Sequence, residues 1–157
     1  MHKRLTFIVG EMDEDEALGC VEMVLSDVHY AFLDRYGFDY YDLDKVRIHT
    51  YVSDDGQAAV ERAYNRQLAE LAEHYEKLRD IVNSYPSVRE AVRHGDVTYH
   101  ARMLGGKMTA CLFDGWGDML ASERDIYQAV DAALFTPHTR QPTGMTAYVV
   151  DNVDVHL

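Results

Sequence analysis

The sequence has few of the cysteines that stabilise small folds through disulfide bonds or metal sites. Its two cysteines, Cys20 and Cys111, lie far apart and show neither a CxxC motif nor the cysteine and histidine spacing typical of zinc ligands. A disulfide framework and a structural zinc site are therefore not predicted, and we expect two reduced thiols, no metal and no cofactor. The chain has only three prolines and no internal repeat. A single domain over residues 1–157 is predicted.

Long apolar runs are also missing. No stretch approaches the roughly 18 apolar residues that a membrane span needs. The first fifteen residues, MHKRLTFIVGEMDED, turn acidic instead of continuing into an apolar targeting segment. These features predict a soluble, cytoplasmic protein without membrane contact.

Basic residues are scarce compared with acidic ones. The chain has 15 lysines and arginines against 27 aspartates and glutamates, a formal net charge of -12. Residues 1–55 hold 13 of the acids and only 5 of the bases. Such a field repels nucleic acid and attracts a basic protein surface, so direct DNA or RNA binding is not expected. The residues predicted to bind a basic partner are Glu11, Asp13, Glu14, Asp15 and Glu16.

The order of predicted elements indicates an α+β fold. Apolar spacing and capping residues predict a strand at 5–10, a helix running to about Tyr36 and ended by Gly37, and a strand at 45–52. A long helix at about 54–84, a short helix after Pro86, a helix from Ser122 to about Leu134 and a last strand at 144–153 follow, the last with a short return through VDVHL. The predicted fold has two layers, with helices on one face of a mixed sheet of about five strands.

The long helix carries an apolar seam that needs a cover. Its spacing of 4 and 3 residues is that of a heptad repeat. Such a seam packs either on the first helix or on a second copy of the chain, and we expect a homodimer. The seam consists of Tyr64, Leu68, Leu71, Tyr75, Leu78, Val82 and Tyr85.

Residues 96–118 alternate apolar and polar side chains around Gly105 and Gly106. This pattern predicts a β-hairpin whose register sets His100 opposite Cys111. Together with the second strand it would form a polar sheet face, on which the histidine could deprotonate the thiol. The other residues predicted for ligand binding there are Arg47, His49, Tyr51, Arg102 and Phe113, with Trp116 in a flanking loop that could swing over the face or fold under it as a plug, the plug being preferred.

Three interpretations of this face remain open: a sheet face that is solvated or covered by another protomer, a binding face for an anionic or planar group, and a catalytic site. Two hypotheses for function follow. The first is an acidic interaction or regulatory protein that binds a basic surface, including an inhibitor, virus-encoded or not, of nucleic-acid-handling machinery. The alternative is a small enzyme or anionic-ligand-binding protein centred on His100 and Cys111.

Overall fold

The computed structural model describes all residues, 1–157. It consists of a five-stranded mixed sheet and six helices. The strands are β1 (His2–Glu11), β2 (Tyr40–Asp42), β3 (Arg47–Thr50), β4 (Leu112–Asp114) and β5 (Thr146–His156). The helices are α1 (Glu14–Ser26), α2 (Phe32–Tyr36), α3 (Asp54–Asn83), α4 (Val88–Ala91), α5 (Gly95–Leu104) and α6 (Glu123–Leu134).

The centre of the sheet is the antiparallel pair of β1 and β5. The other edge of β5 pairs with β2 and β3, whereas β1 pairs in parallel with β4. Leu5 pairs with Val153 and Phe7 with Val150, so β5 has one extra residue opposite Thr6. The β5 residue that absorbs this bulge is Asn152, which has a left-handed backbone with φ +64°.

Helices cover both faces of the sheet. Successive residues of a strand point to opposite faces, and Phe7 belongs to one core cluster while Ile8 belongs to another. The Phe7 cluster includes side chains of α1 and α2, and the Ile8 cluster includes side chains of α3 and α6. The predicted α+β class, the mixed sheet of five strands and the long helix are confirmed, and α1 and α2 add a second helical layer.

The prediction of one continuous helix to Tyr36 is wrong, because the chain bends after Ser26. Asp27 Oδ1 accepts a hydrogen bond from the His29 amide at 2.7 Å, and Ala31 is left-handed. This bend turns Phe32 into the core, where its ring packs on Phe7 at a centroid distance of 5.6 Å. Burying an aromatic side chain stabilises the fold more than continuing an exposed helical turn would.

The long helix α3 is confirmed at almost the predicted bounds. The Ser53 hydroxyl accepts a hydrogen bond from the Gly56 amide at 3.0 Å and caps the helix N-terminus. Its first half lies on the sheet through small residues, among them Ala59 and Ala63. A Cβ at Gly56 would collide with the Thr50 carbonyl oxygen. Only glycine therefore allows the first turn of α3 to lie this close to the end of β3.

The predicted hairpin is wrong: residues 95–104 form α5, and only residues 112–114 form a strand, which pairs with β1. The backbone becomes helical because helical spacing puts His100 and Met103 on one buried side, and α5 packs against α3. Gly105 and Gly106 end this helix instead of turning a hairpin. Packing against α3 therefore makes this segment helical, although its alternating pattern is typical of a strand.

Two further expectations concern the C-terminal third. The capping box of Ser122 and Asp125 is present at the start of α6, as predicted. The last strand continues through Val153 to His156 without a return. None of the helices combines the length and apolar character that crossing a membrane requires.

One buried amide joins α3 to the edge strand β4. Gln67, which has no exposed surface, accepts hydrogen bonds at Oε1 from the amides of Cys111 at 2.8 Å and Leu112 at 3.2 Å. Its Nε2 donates to the Leu120 carbonyl at 2.9 Å. The outer edge of β4 is thus satisfied partly by this side chain and partly by the backbone of residues 118–120, because the Leu120 amide donates to the Leu112 carbonyl at 2.9 Å and the Asp114 amide donates to the Asp118 carbonyl at 3.0 Å.

Gln67→Ala should therefore destabilise the protein strongly. The substitution leaves two buried N–H groups and one carbonyl without a partner, at about 1–3 kcal/mol each, so a loss of roughly 3 kcal/mol or more in the free energy of unfolding is expected. Urea denaturation measures it. Gln57→Ala, an exposed glutamine on the same helix, is the control and should change stability by less than about 0.5 kcal/mol; equal losses in both would contradict the role of Gln67.

Candidate functional site

A crevice opens where the parallel strands β1 and β4 end. The helix after β1, α1, packs on one face of the sheet, and the helix after β4, α6, packs on the other. Chain segments that leave adjacent parallel strands in opposite directions leave a gap beyond the carboxyl ends, and ligands of open α/β sheets bind in such gaps. The crevice has a cavity volume of about 330 Å³.

Close packing of α6 on β1 sets the floor of the crevice. A Cβ on Gly10 would lie 2.6 Å from Cβ of Ala133, so only glycine allows this approach. Three alanines of α6, together with Ile8, Met23 and Met145, make the walls largely apolar. The polar side chains that line it are Glu11, Cys20, Tyr30, Asp114 and Trp116.

The turn after β4 is held by Asp114. Its Oδ1 accepts hydrogen bonds from the amides of Trp116 at 2.8 Å and Asp118 at 2.9 Å. Gly117 is left-handed at φ +81°, and a Cβ there would lie 2.7 Å from Val24 Cγ1. This turn leaves the Trp116 side chain 69% exposed beside the crevice, so the predicted role of Trp116 as a buried plug is wrong.

All the charges that line the crevice are negative. Glu11 and Asp114 line it, and no lysine, arginine or histidine does. The exposed acids of the first turn of α1, Glu14 and Asp15, follow β1 directly, where the helix dipole favours negative charge. Asp13 has a structural role as well, because its side chain caps α1 by accepting from the Glu16 amide at 2.9 Å.

The crevice affects the protonation of two groups. Burial, and then the negative charge of Glu11, raise the pKa of the Cys20 thiol to about 11, and the thiol donates to the Gly115 carbonyl at 3.6 Å. Burial also raises the pKa of Asp114, although hydrogen bonds from the backbone of the following turn favour its ionised form. A cation in the crevice would stabilise that ionised form. The arrangement is suited to binding a positively charged group next to an apolar one, and not to thiolate chemistry.

The structure does not bring His100 and Cys111 together as a catalytic pair. His100 Nδ1 lies 2.9 Å from His74 Nδ1, between α5 and α3. Cys111 Sγ is fully buried and contacts the Thr109 carbonyl at 3.4 Å. Burial raises the pKa of Cys111. The two side chains share no hydrogen bond.

The predicted polar face is divided among several places. Arg47 and His49 share the face of the sheet covered by α3 and α6, because their partners in β5 are Asp151 and Val149. Tyr51 packs against the Ile8 cluster. The remaining predicted residues lie elsewhere: Arg102 is exposed on α5, Phe113 is buried in the Phe7 cluster, and Trp116 is at the crevice.

Sequence patterns could have revealed part of the crevice. Asp114 follows an apolar strand and precedes a glycine-rich turn, FDGWGD, which is typical of the carboxyl end of a parallel strand. Only the pairing of β4 with β1 places Asp114 near Glu11, and the hairpin prediction concealed that pairing. Cys20 offered no signal of its own, since helical cysteines are commonly buried.

No protein-family model, no curated protein and no solved structure matches the chain.

Alkylation of Cys20 should show its raised pKa. With a pKa near 11 instead of 9, the thiolate fraction at pH 8 falls about a hundredfold. The iodoacetamide reaction of the folded protein, followed by mass spectrometry, should keep rising tenfold per pH unit above pH 9, whereas the urea-unfolded control levels off. Glu11→Gln should speed the reaction by lowering the pKa; a folded-state rate that already levels off near pH 9 would contradict this assignment.

Proposed function

We propose that the protein is an interaction protein that binds a basic segment of a macromolecular partner at the crevice between β1 and β4. The observation that carries this proposal is the juxtaposition of two carboxylates, Glu11 and Asp114, with the exposed Trp116 at one opening. A lysine or arginine side chain supplies the cation for the carboxylates. Its methylene stem, or an adjacent apolar residue, packs on the indole ring.

The surroundings of the crevice support a protein partner over a small molecule. Exposed tryptophan and methionine side chains are typical of the centre of protein interfaces. Met12 and Met23 are both exposed here, at the end of β1 and on α1. The acids of the first turn of α1 then provide long-range attraction, which speeds encounter with a basic surface and sets its orientation.

The partner class that fits best is a protein whose basic surface otherwise holds nucleic acid. A chain of net charge -12 competes for such a surface. The proposed activity is therefore regulation, and specifically inhibition, of nucleic-acid-handling machinery. Two free thiols, Cys20 and Cys111, suit a reducing compartment, and the proposed setting is the cytoplasm.

A peptide titration tests the proposal directly. Trp116 is the only tryptophan, so its fluorescence reports events at the crevice. A short lysine-rich peptide should change the emission and bind with an affinity that falls steeply as salt rises above about 0.15 M, where the Debye length is ~8 Å. The same peptide with glutamine in place of lysine should not bind. Failure of the lysine peptide to bind at low salt would overturn the proposal.

Charge variants distinguish the effect of the crevice carboxylates on peptide binding from the effect of the overall net charge. Glu11→Gln with Asp114→Asn removes two crevice charges, and asparagine keeps an oxygen for the Trp116 and Asp118 amides; about tenfold weaker binding or more is expected. The matched control is Glu76→Gln with Glu90→Gln, two exposed glutamates on α3 and α4. Equal weakening in both double variants would mean that the peptide senses only the overall charge.

We further propose that the chain forms a homodimer through the seam of α3 defined above. The supporting observation is that no residue of the seam is fully buried, and that Leu68 and Tyr75 are 40% and 59% exposed. We propose that the seam packs against the same seam of a second copy, since a heptad repeat is complementary to itself around a twofold axis.

Light scattering at micromolar concentration decides the assembly. The wild-type mass should be that of two chains, and Leu68→Asp with Tyr75→Asp should give one chain, because two carboxylates would be buried without partners. Ala69→Asp adds a charge at an exposed position on the opposite side of α3 and should remain dimeric. A wild-type mass of one chain would contradict the dimer.

A further inference from the structure

At the end of the sheet away from the crevice, arginines converge on one cavity. The cavity has a volume of about 370 Å³ and no hydrophobic residue lines it. It lies between the first half of α3 and strands β1, β3 and β5. Its lining residues are Arg4, Arg47, Arg62, Arg66, Asp151 and Asn152.

The fold brings these side chains together from distant parts of the chain. Arg62 and Arg66 are four residues apart on α3 and therefore project from the same side of the helix. Arg47 is the direct cross-strand partner of Asp151. Arg4 comes from β1, on the other side of β5 in the sheet. Four of the 15 basic residues of an acidic chain thus meet at one place.

Carboxylates of the protein pair with only two of the four guanidinium groups. Arg62 Nη2 lies 3.5 Å from Asp151 Oδ2, and Arg4 Nη1 lies 3.2 Å from Asp154 Oδ2. Arg47 and Arg66 make no salt bridge and no side-chain hydrogen bond. Since arginine does not lose its proton at physiological pH, the cluster keeps its excess positive charge and its mutual repulsion.

The β-bulge lies at this cavity and fixes its acidic member. Asp151 Oδ1 accepts from the Thr6 hydroxyl at 2.7 Å, which leaves Oδ2 toward Arg62. The left-handed Asn152 donates its side-chain amide to the Lys45 carbonyl at 2.7 Å. Bulges of this kind re-aim side chains and are common beside functional sites.

We propose that this cavity binds a multiply charged phosphate group, of the pyrophosphate or nucleoside polyphosphate class. The planar guanidinium fork matches two phosphate oxygens at once, and an oxyanion of charge two or more relieves the repulsion between Arg47 and Arg66. The absence of apolar lining means that the phosphates, and not an aromatic or acyl body, supply the binding energy. The site is separate from the crevice, because residues 4 and 11 of β1 are on the order of 20 Å apart at 3.3 Å per residue.

Calorimetric titration with pyrophosphate, inorganic tripolyphosphate, ATP and citrate at constant ionic strength tests the proposal. Pyrophosphate should bind saturably with one site per chain, and citrate should bind at least about tenfold more weakly, because its carboxylates do not match the forks as compactly. ATP and inorganic tripolyphosphate should bind equally tightly, which would identify the phosphates as the whole determinant; ATP binding clearly tighter than tripolyphosphate would contradict the inference that the phosphates supply the binding energy. No saturable binding of any of these phosphates, or equal binding of citrate, would overturn the proposal.

Matched variants locate the binding. Arg47→Gln with Arg66→Gln removes two exposed, unpaired side chains, so the fold should persist by circular dichroism while pyrophosphate binding weakens at least about tenfold. Arg89→Gln with Arg93→Gln, also exposed and unpaired, changes the net charge equally and should leave binding within about twofold. Equal losses in both pairs would overturn the site. Glu11→Gln with Asp114→Asn should retain pyrophosphate binding, so this test and the lysine-peptide test succeed or fail independently.

Discussion

The side-chain amide of Gln67 is the contact on which the relative position of helix and sheet depends. Its oxygen accepts from two amides at the start of β4 and its nitrogen donates to the Leu120 carbonyl, so it ties α3 to a strand of only three residues that pairs with β1. The carboxyl end of β4 then lies beside that of β1, with Asp114 and Glu11 at the same crevice. A buried polar side chain that does not line the crevice thus helps to position Asp114, one of the two carboxylates that give the site its charge.

The central strand β1 separates two regions of opposite charge. The arginine cavity includes Arg4 near its start, and Glu11 ends it at the acidic crevice. A strand paired on both sides is rigid, so the acids of the crevice cannot fold back to neutralise the arginines. The molecule is therefore electrically polar along this strand, and its net charge of -12 understates how differently its two ends present themselves to a charged partner.

Local signals predicted the parts of the fold that local interactions determine. The serine caps at Ser53 and Ser122, the apolar spacing of α3 and the strand around residues 5–10 are all properties of short segments, and the structure contains the elements that they predict. The strand prediction for residues 95–104 was wrong. Their alternating pattern is typical of a strand, but a segment of this length is equally able to form a helix. The choice is made by contact of His100 and Met103 with the α3 layer, which no short window contains.

The candidate sites were harder to predict for the same reason. Arg47, Trp116 and the acids from Glu11 to Glu16 were identified from the sequence, whereas Arg4, Arg62, Arg66 and Asp114 were not assigned to these sites. Each of the missed residues becomes part of a site only through a strand pairing or a helix-to-sheet contact between segments remote in sequence. The residue types indicated which chemistry is present, and the topology of the fold determines which residues come together in one site.

The pairing of β1 with β5 also determines when the sheet can assemble. Its two central strands come from residues 2–11 and 146–156, so the longest ladder of the sheet closes a loop of nearly the whole chain. The entropic cost of closing a loop of that length comes before the stabilising contacts between the two strands can form, so folding is expected to be slow compared with that of helical domains. During synthesis, β1 remains without its main partner until residues 146–156 have left the ribosome. Until then its apolar stretch, LTFIV, is an unpaired strand edge exposed to aggregation.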